Sequence, residues 1–204
     1  MPVATGSWAS VYCGVVLGDG PATMKFCTSC GSSVTLQVPA GDDRERFVCT
    51  SCELIHYSNP RVIVGCVPVY QGRVLLCKRA IEPRKDYWTL PAGFMENGET
   101  TPQGAARETW EEARARVNNL ELYRVFDVPY ISQVYMFYRC DLADGEYGVG
   151  PESLESDLFK QEDVPWDDIA FPVVYETLKE YFSDVDSGHF PVRVSAIERW
   201  SRPK

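Results

Sequence analysis

The sequence predicts an α+β protein in which a layered core follows a small metal-stapled module. Three observations carry that prediction: two Cys-x-x-Cys pairs ahead of residue 60, strand patterns that pair before the first helical segment, and a second amphipathic helix placed late in the chain. At 204 residues the chain has room for one ordinary domain and a satellite. With 45% hydrophobic and 24% charged residues it is neither disordered nor a low-complexity polymer. The longest uncharged apolar run, Val62 to Tyr70 with Gly65 and Pro68 inside it, falls short of the ~20 residues of a membrane span, so no membrane partner is expected. Twenty basic against 29 acidic residues give a net charge of −9. That is the wrong sign for coating nucleic acid, and a phosphate-bearing substrate would need cations between it and the protein. Two histidines, His56 and His189, and no nucleophile-elbow serine leave little material for a Ser-His-Asp hydrolase.

Residues 1–24 contain no lysine or arginine, which argues against a secretory or transit signal and for a cytoplasmic protein with a dispensable leader. The apolar stretch Val11 to Leu17 in that leader could add an edge strand. Cys27, Cys30, Cys49 and Cys52 form two knuckles separated by eighteen residues, a spacing that suits a structural four-thiolate Zn²⁺ site. Gly31 supplies the backbone freedom of such a turn. Two disulfides or a redox pair are the alternatives, disfavoured where no signal peptide is written. Cys13, Cys66, Cys77 and Cys140 have no partner spacing and read as small buried hydrophobes. Lys25, Arg44, Arg46 and Arg61 are balanced by Asp42, Asp43, Glu45 and Glu53, so the module of residues 25–60, with Arg61 at its border, is close to neutral rather than a nucleic-acid clamp.

From residue 61 to 204 the pattern is that of a separate domain. Val62 to Tyr70 and Arg73 to Arg79 flank a Gln71-Gly72 turn and read as a hairpin, followed by a short strand from Tyr87 to Leu90. Thr101 as N-cap and Pro102 at the first helical position start a helix over Gln103 to Val117. Strands over Leu120 to Val128 and Gln133 to Leu142, an acidic loop over 143–151, and a helix from Pro172 to Phe182 complete the order. Val174, Leu178 and Tyr181 share one face of that last helix.

The first helix carries the chemistry. Glu108, Glu111 and Glu112 stand at i, i+3 and i+4, so three carboxylates share one face. Like-charge pairs at this spacing cost a few tenths of a kcal/mol, roughly, which a solvated acidic helix tolerates and a hard divalent cation turns into coordination. Gly93, Glu99, Arg107, Glu108, Glu111 and Glu112 form a longer fixed pattern, and what it resembles decides for the cation. Arg107 has two possible uses, pairing with Glu111 at i+4 or reaching back to Glu99 to pin the preceding loop, and the second is expected.

This spacing resembles the box of the Nudix hydrolases, which cleave a diphosphate linked to another moiety within an α/β/α sandwich built on a mixed sheet. The resemblance implies that Glu108, Glu111 and Glu112 bind Mg²⁺ or Mn²⁺, that Glu99 and Arg107 brace the box, and that Glu112 is a candidate base. Two positions depart from the pattern: Thr109 replaces an apolar residue and Arg114 replaces a glycine, with Ala115 after it. If position 114 needs positive φ, arginine costs about 1 kcal/mol there; reduced stability or an extended last turn is expected. Tyr57 to Arg61, Val74 to Arg79, Trp88 to Gly93, Gly150 to Glu155 and Leu158-Phe159 extend the resemblance to the zinc-ribbon Nudix group that includes FAD and ADP-ribose pyrophosphatases. Ser132 to Tyr138 lacks the prolines and tryptophan of the NADH pyrophosphatases. The resemblance therefore implies a metal-dependent hydrolase of a dinucleotide, FAD first, with ADP-ribose or NADH as alternatives and a homodimer as the default assembly. It also makes Glu152 a loop carboxylate for metal or base chemistry, with Glu155 as its substitute. Trp88, Phe126, Tyr130 and Tyr135 are candidate rings for stacking on adenine or flavin. The rival expectation is a protein that senses a nucleotide without cleaving it.

Overall fold

The computed structural model describes residues 24–198, in two compact units that meet in sequence at residue 60. The expected leader, its Val11 to Leu17 strand and Cys13 lie outside the described residues.

The first unit is a three-stranded antiparallel sheet of β1 (Val34–Gln37), β2 (Arg46–Cys49) and β3 (Ile55–His56). Only Cys27, Val48 and Cys49 are buried among its described residues, too little apolar surface to offset the entropy of ordering the chain. The knuckles replace that missing core. Cys27 and Cys52 sulfurs stand 3.7 Å apart, Cys30 and Cys49 sulfurs 3.4 Å, and all four ligand atoms lie within 4.8 Å of one another. Sulfurs at ~2.3 Å around a tetrahedral Zn²⁺ lie about 3.8 Å from each other, whereas a disulfide needs about 2.05 Å. Backbone N–H groups of Ser29, Ser51 and Cys52 donate to the Cys27 and Cys49 sulfurs, each at 3.4 Å, and hydrogen bonds from Ser32 lower the Cys30 pKa to about 6. Donors aimed at the Cys30 and Cys49 sulfurs favour their thiolates, the form a metal takes, whereas the neighbouring sulfurs raise the Cys52 pKa. Gly31, at φ 74°, makes the turn after the first knuckle.

The second unit is an eight-stranded mixed sheet with a helix on each face. Its strands are β4 (Arg61–Tyr70), β5 (Arg73–Arg79), β6 (Trp88–Thr89), β7 (Ala92–Phe94), then after helix α1 (Thr101–Ala113), β8 (Val117–Val128), β9 (Gln133–Leu142), β10 (Ser153–Phe159) and, after helix α2 (Pro172–Ser187), β11 (Arg193–Ala196). The main order is β10-β5-β4-β9-β8-β11, with β6 on β5 and β7 on β4. The β4–β9 and β8–β11 pairs are parallel and the rest antiparallel. Period-two alternation decides which side chains face which helix. Val64, Cys66, Leu75, Cys77, Tyr138 and Cys140 pack with Ala105 and Ala113 of α1 or beside them. Val67, Val74, Leu76, Phe126 and Phe137 pack with Val174, Leu178, Tyr181 and Phe182 of α2. The three partnerless cysteines among these, Cys66, Cys77 and Cys140, are buried as expected.

Boundaries moved where capping chemistry was misjudged. The N-cap of α1 is Thr100, not Thr101: Gln103 Oε1 accepts from the Thr100 backbone N–H at 2.8 Å and its hydroxyl at 2.9 Å, so Thr101 and Pro102 both fall inside the first turn. The helix stops at Ala113 rather than Val117. Arg114 takes φ 51° and its N–H closes on the Trp110 carbonyl at 2.9 Å, so the position expected to need positive φ has it and no extended turn forms. Thr109 occupies its apolar position fully buried, with its hydroxyl donated to the Ala105 carbonyl at 2.8 Å. Helix α2 continues past Phe182 to Gly188, whose φ of 67° ends it. Strands β7, β10 and β11 escaped the sequence, because Ala-Gly-Phe, Ser-Leu-Glu-Ser-Asp-Leu-Phe and Arg-Val-Ser-Ala are too short or too mixed to show alternation.

Purified protein should contain about one zinc per chain, and strong chelation should remove it together with the circular-dichroism signal of the first unit. Retention of that signal in zinc-free protein would defeat the assignment. Cys49→Ser, which deletes a ligand from the most buried corner, is expected to do the same without chelator.

Candidate active site

One cleft of about 510 Å³ in the second unit gathers residues from β4, β5, β7, α1, β9, the loop before β10 and the start of α2. Its acidic wall is Glu108, Glu111 and Glu112 of α1 with Glu152 of the loop. Two glycines make that wall possible. A Cβ on Gly93 would lie 2.4 Å from Cδ of Glu108, so only glycine lets β7 pass against this carboxylate. A Cβ on Gly150 would lie 1.7 Å from the Glu111 carbonyl oxygen. The loop is laid flat on the end of α1, where Gly148 N–H donates to the Ala113 carbonyl at 2.6 Å and Gly150 N–H to the Glu112 carbonyl at 2.9 Å. These bonds satisfy helix-end carbonyls and carry Glu152 to the acidic wall.

Arg107 binds the wall to the preceding loop. Its Nε and Nη2 donate to both oxygens of Glu99 at 3.0 and 2.9 Å, its Nη1 to Glu108 at 2.7 Å and Glu111 at 3.2 Å, and Nη2 also to the Phe94 carbonyl at 3.1 Å. Both uses anticipated for Arg107 are therefore realised at once. The forked, always-charged guanidinium suits this better than an ammonium would. The ion pair holds the Glu99 carboxyl below its usual range, and Glu99 also accepts from the Glu96 N–H at 2.7 Å.

Burial shapes the other carboxyls. Glu112 is 7% exposed, receives the Ala92 N–H at 3.2 Å, and is pushed up to about 8 by desolvation and by the charge of Glu108. Glu108 is pushed up to about 7, chiefly by desolvation. Glu152 adds negative potential to both. Five carboxylates, Glu99, Glu108, Glu111, Glu112 and Glu152, outnumber the two guanidiniums beside them, Arg107 and Arg79, and this surplus of oxygen donors suits a hard divalent cation.

The other nominated residues separate clearly. Tyr135 lines the cleft beside Phe137, ring planes 23° apart at 6.2 Å. Phe126 does not: it is fully buried between the sheet and α2, with the Arg124 guanidinium 4.3 Å from its ring, because its β8 position faces the core. Trp88 packs edge-on against Phe159 at 4.9 Å, off the cleft wall, and Tyr130 lies on an exposed turn. Glu155 is likewise outside, held by Lys78 at 2.7 Å, because it lies on β10 beyond the loop that delivers Glu152. Missed by the sequence were Arg79, Phe94, Phe137 and Phe171, all on the wall. Only Arg79 left a trace, as a charge continuing the buried Leu75-Cys77 row of β5.

A carboxyl with raised pKa binds its proton more tightly folded than unfolded. The folded, metal-free protein therefore carries no penalty from Glu108 and Glu112 below about pH 4.5 and an increasing one as pH rises through about 7 and 8. Acid-side losses come from the opposite class, Glu99 and Asp184, whose pKa values are lowered by Arg107 and Arg193. Melting temperature of metal-free protein should thus fall between pH 6 and 8.5 by roughly several degrees, Mg²⁺ should restore most of it at the alkaline end, and Glu112→Gln should flatten the slope. Gly150→Ala should displace Glu152 and lower turnover by roughly a hundredfold, read in steady-state kinetics on folded protein.

Residues 25–58 match the zinc-ribbon family described as Nudix N-terminal, and residues 59–179 match the NUDIX domain. NAD-capped RNA hydrolases NudC of Edwardsiella ictaluri and Klebsiella pneumoniae are each 30% identical over 155 residues, 74% of this chain and 58% of theirs. The chain thus spans under two-thirds of the length of these relatives. A NUDIX hydrolase from Nitrosomonas europaea is 52% identical, with a TM-score of 0.84 over 86% of this chain and all of its own. An ADP-ribose pyrophosphatase from Streptococcus suis shares the fold at 20% identity and TM-score 0.55, over 67% of this chain and 99% of its own. With the NUDIX match extending over more than half of its length, and with the acidic cleft seated inside that match, the chain belongs to the Nudix family of hydrolases and carries that family's N-terminal zinc ribbon.

Proposed function

We propose that the protein hydrolyses the pyrophosphate bond of a dinucleotide, converting FAD to FMN and AMP, with Mg²⁺ or Mn²⁺ held by Glu108, Glu111 and Glu112. The observation that carries this reading is the meeting of four carboxylates with a wall of flat rings, Phe94, Tyr135, Phe137 and Phe171, in one cleft. A divalent cation bound there neutralises a diphosphate and polarises a phosphoryl oxygen, which a protein of charge −9 needs before it can approach that anion. Arg107 keeps Glu108 and Glu111 turned toward the cleft against their mutual repulsion. Glu152, whose carboxylate receives no hydrogen bond among the described residues, is the proton acceptor: water oxygen bonds to one phosphorus, the bridging P–O bond breaks with its pair on the departing phosphate, and the proton passes to Glu152. Glu112 is the alternative acceptor. Tyr135, backed by the buried Phe137 ring, receives the flat end of the substrate.

A second reading has its own support. The NudC relatives are named for NAD-capped RNA, which supports NADH and NAD-capped RNA as further candidates beside FAD, and ADP-ribose, giving AMP and ribose 5-phosphate, has the same pyrophosphate linkage. We infer a cytoplasmic homodimer, in keeping with the three buried free thiols outside the knuckles, Cys66, Cys77 and Cys140, and with the apolar edge at β11, where Val192 and Val194 are exposed. No helix among the described residues is long and apolar enough to cross a membrane.

Purified protein with Mg²⁺ or Mn²⁺ should cleave FAD with the highest kcat/KM among FAD, ADP-ribose and NADH, and Glu112→Gln and Glu152→Gln should each lower kcat by about a hundredfold or more. Undiminished turnover by Glu112→Gln would sink the site. Tight nucleotide binding by wild type with no product from any substrate would leave a sensor in place of an enzyme.

A further inference from the structure

The last turn of α1 carries a cationic surface on the solvent side of the helix. Trp110, Arg114 and Arg116 are exposed, and the two guanidinium carbons stand over the Trp110 ring at 5.8 and 5.6 Å from its centre. An indole that holds two like charges side by side leaves their N–H edges free for an anion, which would also relieve their repulsion. Neither guanidinium makes a hydrogen bond or an ion pair among the described residues. The nearby carboxylates are taken: Glu111 by Arg107 at 3.2 Å, Asp144 by the Glu146 N–H at 3.0 Å, and Asp157 by the Tyr147 hydroxyl at 2.9 Å. Nor are the arginines needed to finish the helix, because the Gly148 and Gly150 N–H groups already bind its end carbonyls. Arg114 moreover takes φ 51°, a conformation that favours glycine, so its side chain is kept at a local backbone cost. The surface borders the cleft. Glu111, three residues before Arg114 or about 4.5 Å along the helix, lines that cleft, and the loop that passes Arg114 at Gly148 delivers Glu152 to it. Tyr147, beside Gly148, adds a second exposed ring.

We infer that Trp110, Arg114 and Arg116 form a phosphodiester-binding surface that receives an oligoribonucleotide chain attached to the dinucleotide in the cleft. The inference rests on the pyrophosphatase reading in its NAD-capped RNA form and adds where the chain beyond the cap runs. Two guanidinium forks grip one phosphate, and the exposed indole and the Tyr147 ring offer flat faces to unstacked bases. A net charge of −9 opposes a coat of nucleic acid over the whole protein but not a pair of cations at the border of a metal-loaded cleft. The occupant is an oligonucleotide rather than an acidic peptide, because rings accompany the forks and because the surface continues a cleft that takes a nucleotide.

The test uses the full-length protein with Mg²⁺ and two substrates, NADH and a short oligoribonucleotide carrying a 5′ NAD cap. Wild type should show a KM for the capped chain roughly tenfold below that for NADH, an advantage that fades as salt rises. Arg114→Gly and Arg116→Gln should each raise KM for the capped chain roughly three- to tenfold and leave kcat/KM on NADH unchanged. Arg114→Gly also relieves the positive φ, so its melting temperature should hold or rise, and a loss of affinity is then not a loss of folding. An arginine that only packs on the indole would move both substrates together or neither. Turnover of the capped chain with the same KM in wild type and in both variants overturns the surface and keeps the pyrophosphatase reading. Should the protein cleave neither substrate, anisotropy with a labelled 5′-phosphorylated oligoribonucleotide decides: binding weakened by Arg114→Gly keeps the surface and removes the NAD-capped RNA reading, and binding that is absent or unaltered removes both. Capture of a polyglutamate peptide that Arg114→Gly abolishes, with no binding of the oligoribonucleotide, overturns the nucleotide occupant.

Discussion

The molecule is organised around an excess of negative charge that it holds together before any substrate arrives. Glu108, Glu111 and Glu112 repel one another on one helix face, and burial makes that repulsion expensive by removing the water that would screen it. Arg107 is the counterweight within the protein. It spends every donor nitrogen on Glu99, Glu108, Glu111 and the Phe94 carbonyl, and so ties the helix to the strand and loop that precede it. Glu112 lies beyond the reach of Arg107 and has the Ala92 N–H and the charge of Arg79 to offset it, while burial and the charge of Glu108 push its pKa up.

The surrounding fold serves that arrangement. Gly93 and Gly150 bring backbone within contact of the acidic helix where any side chain would collide, and the loop after β9 then uses its own N–H groups to finish the helix. Arg114, in place of the glycine usual at the end of such helices, is held in the left-handed conformation all the same, with its guanidinium stacked 5.8 Å from the Trp110 ring centre. The tertiary contacts of Gly148 and Gly150 with the last helical carbonyls outweigh a local cost of about 1 kcal/mol. Local propensity yields to packing here, and the carboxylate geometry is left undisturbed.

The two units reach stability by different means. The second buries two apolar layers against opposite faces of one sheet, with α2 tied further by the Tyr123 hydroxyl on Asp184 at 2.7 Å and by Arg193 on the same carboxylate. The first has three buried residues among those described and four convergent sulfurs, a set that suits a metal as the source of its folding free energy. Charge follows the same division of labour, neutral in the small unit and acidic in the cleft of the large one.

The sequence by itself determined whatever depends on short-range spacing. Two knuckles specify a four-sulfur site because each turn is closed within four residues, and the carboxylate face of α1 follows from a helical repeat that no tertiary contact can alter. The strands from Val62 to Tyr70, Arg73 to Arg79 and Gln133 to Leu142 were legible for the same reason, since alternation is written in the residues themselves. Only the tertiary structure decided which distant groups meet those carboxylates. Phe126 and Tyr135 are cross-strand partners on one face of the sheet, yet β9 borders the cleft while β8 lies one strand farther from it under α2, and Glu152 and Glu155 part company because a loop docks on a helix end and a strand begins at Ser153. Arg79, Phe137 and Phe171 come together from β5, β9 and the start of α2, separated by dozens of residues. Their meeting is a property of how the layers pack, and packing is a sum over the whole chain that no local pattern records.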